Sequence, residues 1–141
     1  PRDYQLKLTI QQQVITSFDN AVSGYNSLST GISNLRRGVY QYDTREYSQA
    51  ASHFTEASIE FRAATRQFQP GDVSSSVADA LGDRHAMAQS LDTLATRLEE
   101  STAARMEEDL EKYTQKREAA IAVLDSRDDI QRIPELGLIR F

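Results

Sequence analysis

The sequence predicts an all-α protein, an antiparallel helical bundle of three to four long helices. Apolar residues recur at alternating steps of three and four over several heptads, which is the spacing of helices packed on one another. Six Gly and three Pro in 141 residues are too few to form the many turns of an all-β chain. We expect one core, with residues 1–129 forming the bundle and residues 130–141 an extended C-terminal tail.

The first helix is predicted over about residues 4–42. Its apolar seam follows a 3.5-residue period through Val14, Phe18, Ala21, Tyr25, Leu28, Ile32, Leu35, Val39 and Tyr42. Gly24, Gly31 and Gly38 lie seven apart beside this seam, although each costs a helix about 1 kcal/mol relative to Ala. The row indicates a face where a neighbouring helix comes close; the alternative is a kink at Ser23-Gly24 or at Gly31.

The second helix is predicted over about residues 44–69. A capping box, in which the Asp43 side chain accepts from the backbone N–H of Glu46, is expected to start it. Aromatic rings occupy one heptad position and Ala the other, in the two series Tyr47, Phe54, Phe61, Phe68 and Ala50, Ala57, Ala64. The short connection predicts that this helix runs antiparallel to the first and buries Phe54 and Phe61 against it. Gln69-Pro70-Gly71 is expected to end it.

Beyond the possible N-caps Asp72 to Ser76, the apolar pattern is compatible with one helix or two. It runs through Val77, Leu81, Ala88, Leu91, Leu94 and Leu98 and resumes at Met106, Leu110, Tyr113, Ala120, Ile121 and Leu124. A single helix would measure about 75 Å at 1.5 Å per residue. Because a compact monomer needs a break, we favour two helices, about 74–100 and 101–126, divided near Glu99 to Thr102.

The C-terminal tail combines large apolar residues with helix breakers. Pro134 and Gly137 prevent a regular helix there. The candidate interaction residues are Ile133, Leu136, Leu138, Ile139 and Phe141. Leaving them in water is unfavourable, so the tail either folds back as a cap or docks on a second copy or a partner as an extended anchor; the third alternative is a disordered end.

The sequence offers little catalytic chemistry. It has no Cys, and neither His53 nor His85 follows a Glu by three residues, as a di-metal carboxylate site requires, so both His are expected to face solvent. The acidic run from Glu107 to Glu111 alternates with basic residues and is predicted to be a solvated helix face. Asp83-Arg84-His85 is the nearest approach to a polar cluster. We expect no catalytic residues, no metal and no cofactor, and therefore no enzyme.

Charge and hydropathy limit the partners. The net charge is −5, and Arg36-Arg37 is the first adjacent basic pair, followed only by Lys116-Arg117. Because a nucleic-acid surface needs clustered basic residues, no nucleic acid is expected as a partner. No run approaches eighteen apolar residues, so no direct membrane insertion is expected of this segment.

The spacing Gly38-x8-Tyr47-x2-Ala50-x3-Phe54-x2-Ala57 resembles a single tetratricopeptide repeat over residues 34–61. The resemblance implies a helical hairpin packed through small residues and rings. Departures from the repeat pattern are Asn34 for the large aromatic, Arg37 for Leu, Gln41 for Tyr and Arg62 for the closing Pro. No second copy follows at a 34-residue period, so the resemblance does not imply a peptide-binding solenoid.

Together these observations predict a non-catalytic interaction or scaffold module that presents helix faces and its apolar tail to a protein partner. That partner is either another protein or a second copy, in a homodimer. The alternative is an extracytoplasmic four-helix ligand-sensing domain of a membrane receptor, with a small ligand held between its helices.

Overall fold

The computed structural model describes residues 2–68 and 75–141. Its four long helices confirm the predicted all-α bundle: α1 (Arg2–Asp43), α2 (Tyr47–Gln67), α3 (Ser75–Met106) and α4 (Leu110–Asp125). A short helix α5 (Asp128–Gln131) and a 3-10 helix (Leu136–Arg140) follow. The predicted stop at Gln69-Pro70-Gly71, the possible N-caps from Asp72 to Ser74, and the side chains of Val14 and Val77 lie outside the described residues.

Glycines of α1 receive phenylalanine rings of α2. A β-carbon placed on Gly24, Gly31 or Gly38 would lie 2.8, 2.6 or 2.7 Å from the nearest ring carbon of Phe68, Phe61 or Phe54. Each pair of residue numbers adds up to the same value, so the two helices run antiparallel in one register over their common length. The predicted close approach is confirmed, and the glycines are buried because rings occupy the space of their missing side chains.

The core continues from this hairpin into α3 and α4. α2 packs on both α1 and α3, and α4 packs on α3. The predicted core residues of α2 and α3 are confirmed as buried: Ala50, Phe54, Ala57, Phe61, Ala64, Phe68, Leu81, Ala88, Leu91, Leu94 and Leu98. Polar contacts fix the alignment, since Ser58 Oγ donates to Asp92 Oδ1 at 2.5 Å and Lys116 pairs with Glu100 at 2.6 Å.

The break between the last two long helices lies at residues 107–109, so the predicted break near Glu99 to Thr102 is wrong. Ser101 and Thr102 are buried within α3, and the Thr102 hydroxyl donates to the Leu98 carbonyl at 2.6 Å. Small polar residues whose hydroxyl group donates to a backbone carbonyl in this way do not interrupt a helix. Met106 and Leu110, predicted as core, are instead exposed because they flank the turn.

One turn geometry ends both α1 and α3. The backbone N–H of Glu46 donates to the Gln41 carbonyl at 2.8 Å, and that of Asp109 donates to the Ala104 carbonyl at 2.9 Å. Arg45 and Glu108 precede these donors with left-handed φ angles of 66° and 60°. These are Schellman motifs with a residue other than Gly at the left-handed position.

The predicted capping box is therefore wrong. The Glu46 N–H already serves as the donor that closes α1, and no side chain caps α2. Of the acidic run, Glu107, Glu108 and Asp109 form the α3–α4 turn rather than a helix face, whereas Glu111 lies in the first turn of α4; all four are exposed, as predicted. Within the turn, Asp109 caps α4 by accepting from the Lys112 N–H at 3.1 Å.

Candidate interaction surface

The C-terminal segment folds back on the bundle as compact helical turns, so its predicted extended form is wrong. Its 3-10 helix contacts both α1 and α4. Of the candidate interaction residues, Leu136 and Ile139 are fully buried in the common core, and Ile133 and Leu138 are half-buried against it. Phe141 is 95% exposed. The tail thus acts as a cap whose buried side chains face this chain itself.

Ion pairs hold the segment in place. Arg36 of α1 donates from Nε to Glu135 Oε2 at 2.5 Å and from Nη2 to Glu135 Oε1 at 3.2 Å. This hydrogen-bonded fork lowers the pKa of the Glu135 carboxyl. Arg140 pairs with Asp125, the last residue of α4. Contacts to both helices explain why Pro134 and Gly137 do not leave the segment unfolded.

A row of large apolar side chains on α1 remains exposed. It consists of Leu8, Ile15, Phe18, Val22 and Tyr25, and we call it the α1 stripe. Phe18 is 66% and Ile15 59% exposed. With Gln11, which is also exposed, the stripe positions follow alternating steps of three and four, as in a coiled-coil seam. The prediction that Phe18 and Tyr25 belong to the core is therefore wrong.

The different lengths of the helices contribute to this exposure. α1 has 42 residues and α2 only 21, or about 63 and 32 Å. Phe68, at the end of α2, lies against Gly24. Most of the stripe is therefore N-terminal to the stretch of α1 that α2 covers, and the helix continues past its neighbour.

Charge is almost absent from this part of α1. Asp19 is the only charged residue between Lys7 and Arg36, whereas 26% of the whole chain is charged. A helix that only faces water normally carries charged residues on its outer side. Exposed apolar side chains on an uncharged helix are typical of a surface that another protein covers.

The stripe and the tail use the same face of α1 at different levels. Ser33, Arg36 and Tyr40 line a groove together with Glu135 of the tail. They follow Ile15, Phe18 and Val22 by eighteen residues each, which is about five full turns at 3.6 residues per turn. The tail therefore lies on the C-terminal half of a face whose N-terminal half carries the stripe.

The polar residues singled out in the sequence do not assemble into one site. Asp83 pairs with Arg127 at 3.4 Å, Arg84 lies over the Tyr25 ring at 5.6 Å, and His85 Nδ1 is 2.8 Å from the Thr65 carbonyl oxygen. His53 Nδ1 lies 2.6 Å from Gln41 Oε1. Both His are half-buried and hydrogen-bonded, so the prediction that they face solvent is wrong.

Within residues 2–68 and 75–141, no group of three or more His, Asp or Glu side chains is placed to hold a metal ion. None of the described helices is both long enough and apolar enough to cross a membrane. Comparisons with family models, curated proteins and solved structures find no match. The resemblance to a tetratricopeptide hairpin therefore stays a prediction, although the helical hairpin itself is present as α1 and α2.

Sequence reasoning missed the α1 stripe because it assigned Phe18 and Tyr25 to the core and gave no role to Leu8, Ile15 and Val22. Two signals in the sequence point to it. The first helix is predicted to be much longer than the second, and charge is missing from residues 8–35 apart from Asp19. An overlong helix with no charged outer face has apolar surface that its own hairpin cannot cover.

Proposed function

We propose that this protein is a non-catalytic helical interaction module whose docking surface is the α1 stripe. The observation that carries the proposal is the exposure of five large apolar side chains in coiled-coil spacing on a nearly uncharged part of α1. Because these side chains are 40–66% exposed, covering the rest of each one stabilises an association by about half of the roughly 1.5–3 kcal/mol that full burial gives, before entropic costs. The bundle would then serve as the rigid base that holds this helix in position.

The tail supports this base rather than forming the main docking surface. Leu136 and Ile139 are buried in the core, so they are not available to a partner while the tail is in place. The stripe needs no such rearrangement. The alternative role as an extracytoplasmic sensor stays a prediction.

Site-specific photo-cross-linking in cells that make the protein tests this proposal. A benzophenone side chain replaces Phe18 in one variant and Ile59 in a control, since Ile59 of α2 is 57% exposed but lies outside the stripe. We expect irradiation to give a protein adduct, with any protein including the chain itself, at position 18 and not at position 59. Equal yields at both positions, or none at position 18, would contradict the proposal.

A further inference from the structure

We infer that the occupant of the α1 stripe is a second copy of this chain, bound stripe to stripe with the two α1 helices antiparallel. This inference rests on the proposed function and specifies its partner. It depends on the area of the stripe, on its charge and on the position of the tail.

The area of the stripe suits an isologous dimer. Given the exposed fractions of its five side chains and about 150–250 Å² for a large side chain, the stripe offers roughly 500 Å² per copy. Two such faces together would bury roughly 1,000 Å², the lower limit for a specific interface. A two-fold axis brings the same patch of each subunit together, so one surface suffices for both partners.

The near absence of charge permits self-association. Like charges brought together by a two-fold axis would repel each other, but Asp19 is the only charged residue between Lys7 and Arg36. Of the net charge of −5, Asp19 contributes −1 and the remainder of the chain −4. Two copies can therefore meet at this face although the whole proteins repel each other weakly.

The heptad spacing defines one register that uses the whole stripe. An antiparallel coiled coil pairs the first apolar position of one helix with the second apolar position of the other. If facing residue numbers add up to 33, Leu8 faces Tyr25, Gln11 faces Val22 and Ile15 faces Phe18 of the second copy, each pair occurring twice. Gln11 is the polar member of the seam, and opposite Val22 its amide group has to stay in water at the edge of the pair.

The position of the tail favours the antiparallel arrangement over the parallel one. In a parallel pair, each α1 would continue along the other past the level of Arg36, where the tail lies on the same face. In the antiparallel register, Arg2 of the second copy lies level with Gly31. Within the described residues, α1 of the second copy therefore stays short of Ser33, the first residue of the groove that Glu135 lines.

Sedimentation velocity over a range of concentrations tests the dimer. We expect the full chain to form dimers, and the double variant Ile15→Asp/Phe18→Asp to weaken the dimer at least 100-fold. Ile59→Asp is the matched control, because Ile59 has nearly the exposure of Ile15, and it should leave the dimer unchanged. A chain that stays monomeric at all concentrations would overturn the inference, as would a dimer that only Ile59→Asp disrupts.

Cross-linking with a short bismaleimide tests the orientation. The chain has no Cys, so the variants Leu8→Cys and Tyr25→Cys each carry one thiol. We expect a covalent dimer when the two variants are mixed and none from Leu8→Cys alone. In a parallel pair Leu8→Cys alone would give a covalent dimer, because its two thiols would lie side by side, whereas positions 8 and 25 of the two copies would lie about 25 Å apart along the helix axis.

The two proposals fail separately. A monomeric chain that still gives adducts with other proteins at position 18 would overturn the second copy as occupant and leave the interaction module standing. A chain without any adduct at position 18 would overturn both.

Discussion

Gly31 accommodates the ring of Phe61: a β-carbon on Gly31 would lie 2.6 Å from Cε1 of that ring, which is fully buried. The ring cannot retreat freely because the core around it is closely packed. Gly31→Ala therefore adds a methyl group where no space exists. The gain in helix propensity, about 1 kcal/mol, opposes an overpacking cost of about 1–3 kcal/mol.

We expect Gly31→Ala to lower the free energy of unfolding by about 1 kcal/mol, measured by urea denaturation. Gly82→Ala is the control, because nothing lies within 4 Å of a β-carbon at that helical position. It should stabilise by up to about 1 kcal/mol. Adding Phe61→Leu to Gly31→Ala should reveal coupling in a double-mutant cycle. Equal stabilisation by both Gly→Ala changes would show that the ring is not seated on Gly31.

Arg45→Gly and Glu108→Gly should each stabilise the protein. Both residues have left-handed backbone conformations, which cost a residue with a β-carbon about 1–2 kcal/mol. Gly removes that cost, but its larger conformational freedom in the unfolded chain lowers the free energy of unfolding by about 0.5–1 kcal/mol. We expect a net gain of about 0.5–1 kcal/mol in chemical denaturation. Glu107→Gly, next to Glu108 and without a positive φ, is the control and should destabilise instead.

Leu136→Ala and Ile139→Ala should each cost about 2–5 kcal/mol, because both side chains of the tail are fully buried in the core. Phe141→Ala should change stability little, since that ring is 95% exposed. The loss is expected at every protein concentration, as the contact lies within one chain. Unchanged stability in the two buried variants would mean that the tail is not part of the core in solution.

Acid should loosen the tail. Arg36 lowers the pKa of Glu135 below its ordinary value of 4.5. A lowered folded-state pKa contributes stability that is fully present above the unfolded value and is lost as pH falls through the folded one. We therefore expect the methyl NMR signals of Leu136 and Ile139 to show increasing opening of the tail as pH falls below 4.5.

Glu135→Gln tests the origin of this pH dependence. It removes the titrating group while keeping the shape of the side chain, so the tail should open more at neutral pH and change less with acid. Some pH dependence of tail opening should remain because of Asp129: Arg127 lowers the pKa of its carboxyl below the ordinary value of 3.8. A variant with the full pH response of the wild type would exclude the Arg36–Glu135 pair as its cause.

The sequence predicts the helices and the α1–α2 pairing well because both depend on local periodicity. Gly31 and Phe61 occupy fixed heptad positions, and their contact follows from the antiparallel hairpin. The break at residues 107–109 was not predicted, because no Gly or Pro marks it and Glu108 adopts a left-handed conformation.

The tail and the stripe were harder to predict because they depend on packing between distant segments. Pro134 and Gly137 indicate an irregular segment, but its place depends on Arg36, 99 positions away from Glu135. Phe18 and Leu35 follow the same heptad pattern, yet one is exposed and the other buried. Phe18 lies beyond the end of α2 and Leu35 within the stretch that α2 covers, a limit that heptad spacing does not encode.

The packed faces of α1 and α2 would also fit each other if one helix were shifted along the other by one heptad. A shift of one heptad would still seat a ring on each of the three glycines, in the pairs Gly24–Phe61, Gly31–Phe54 and Gly38–Tyr47. The tight turn at Thr44 to Glu46 selects between these alignments, since the shifted one would require the chain to reverse inside the last turn of α1. A seven-residue insertion in this turn would remove that selection. The hairpin would then sample two alignments of similar packing. The three-residue connection therefore determines the alignment of α1 with α2, which the packed faces alone do not determine.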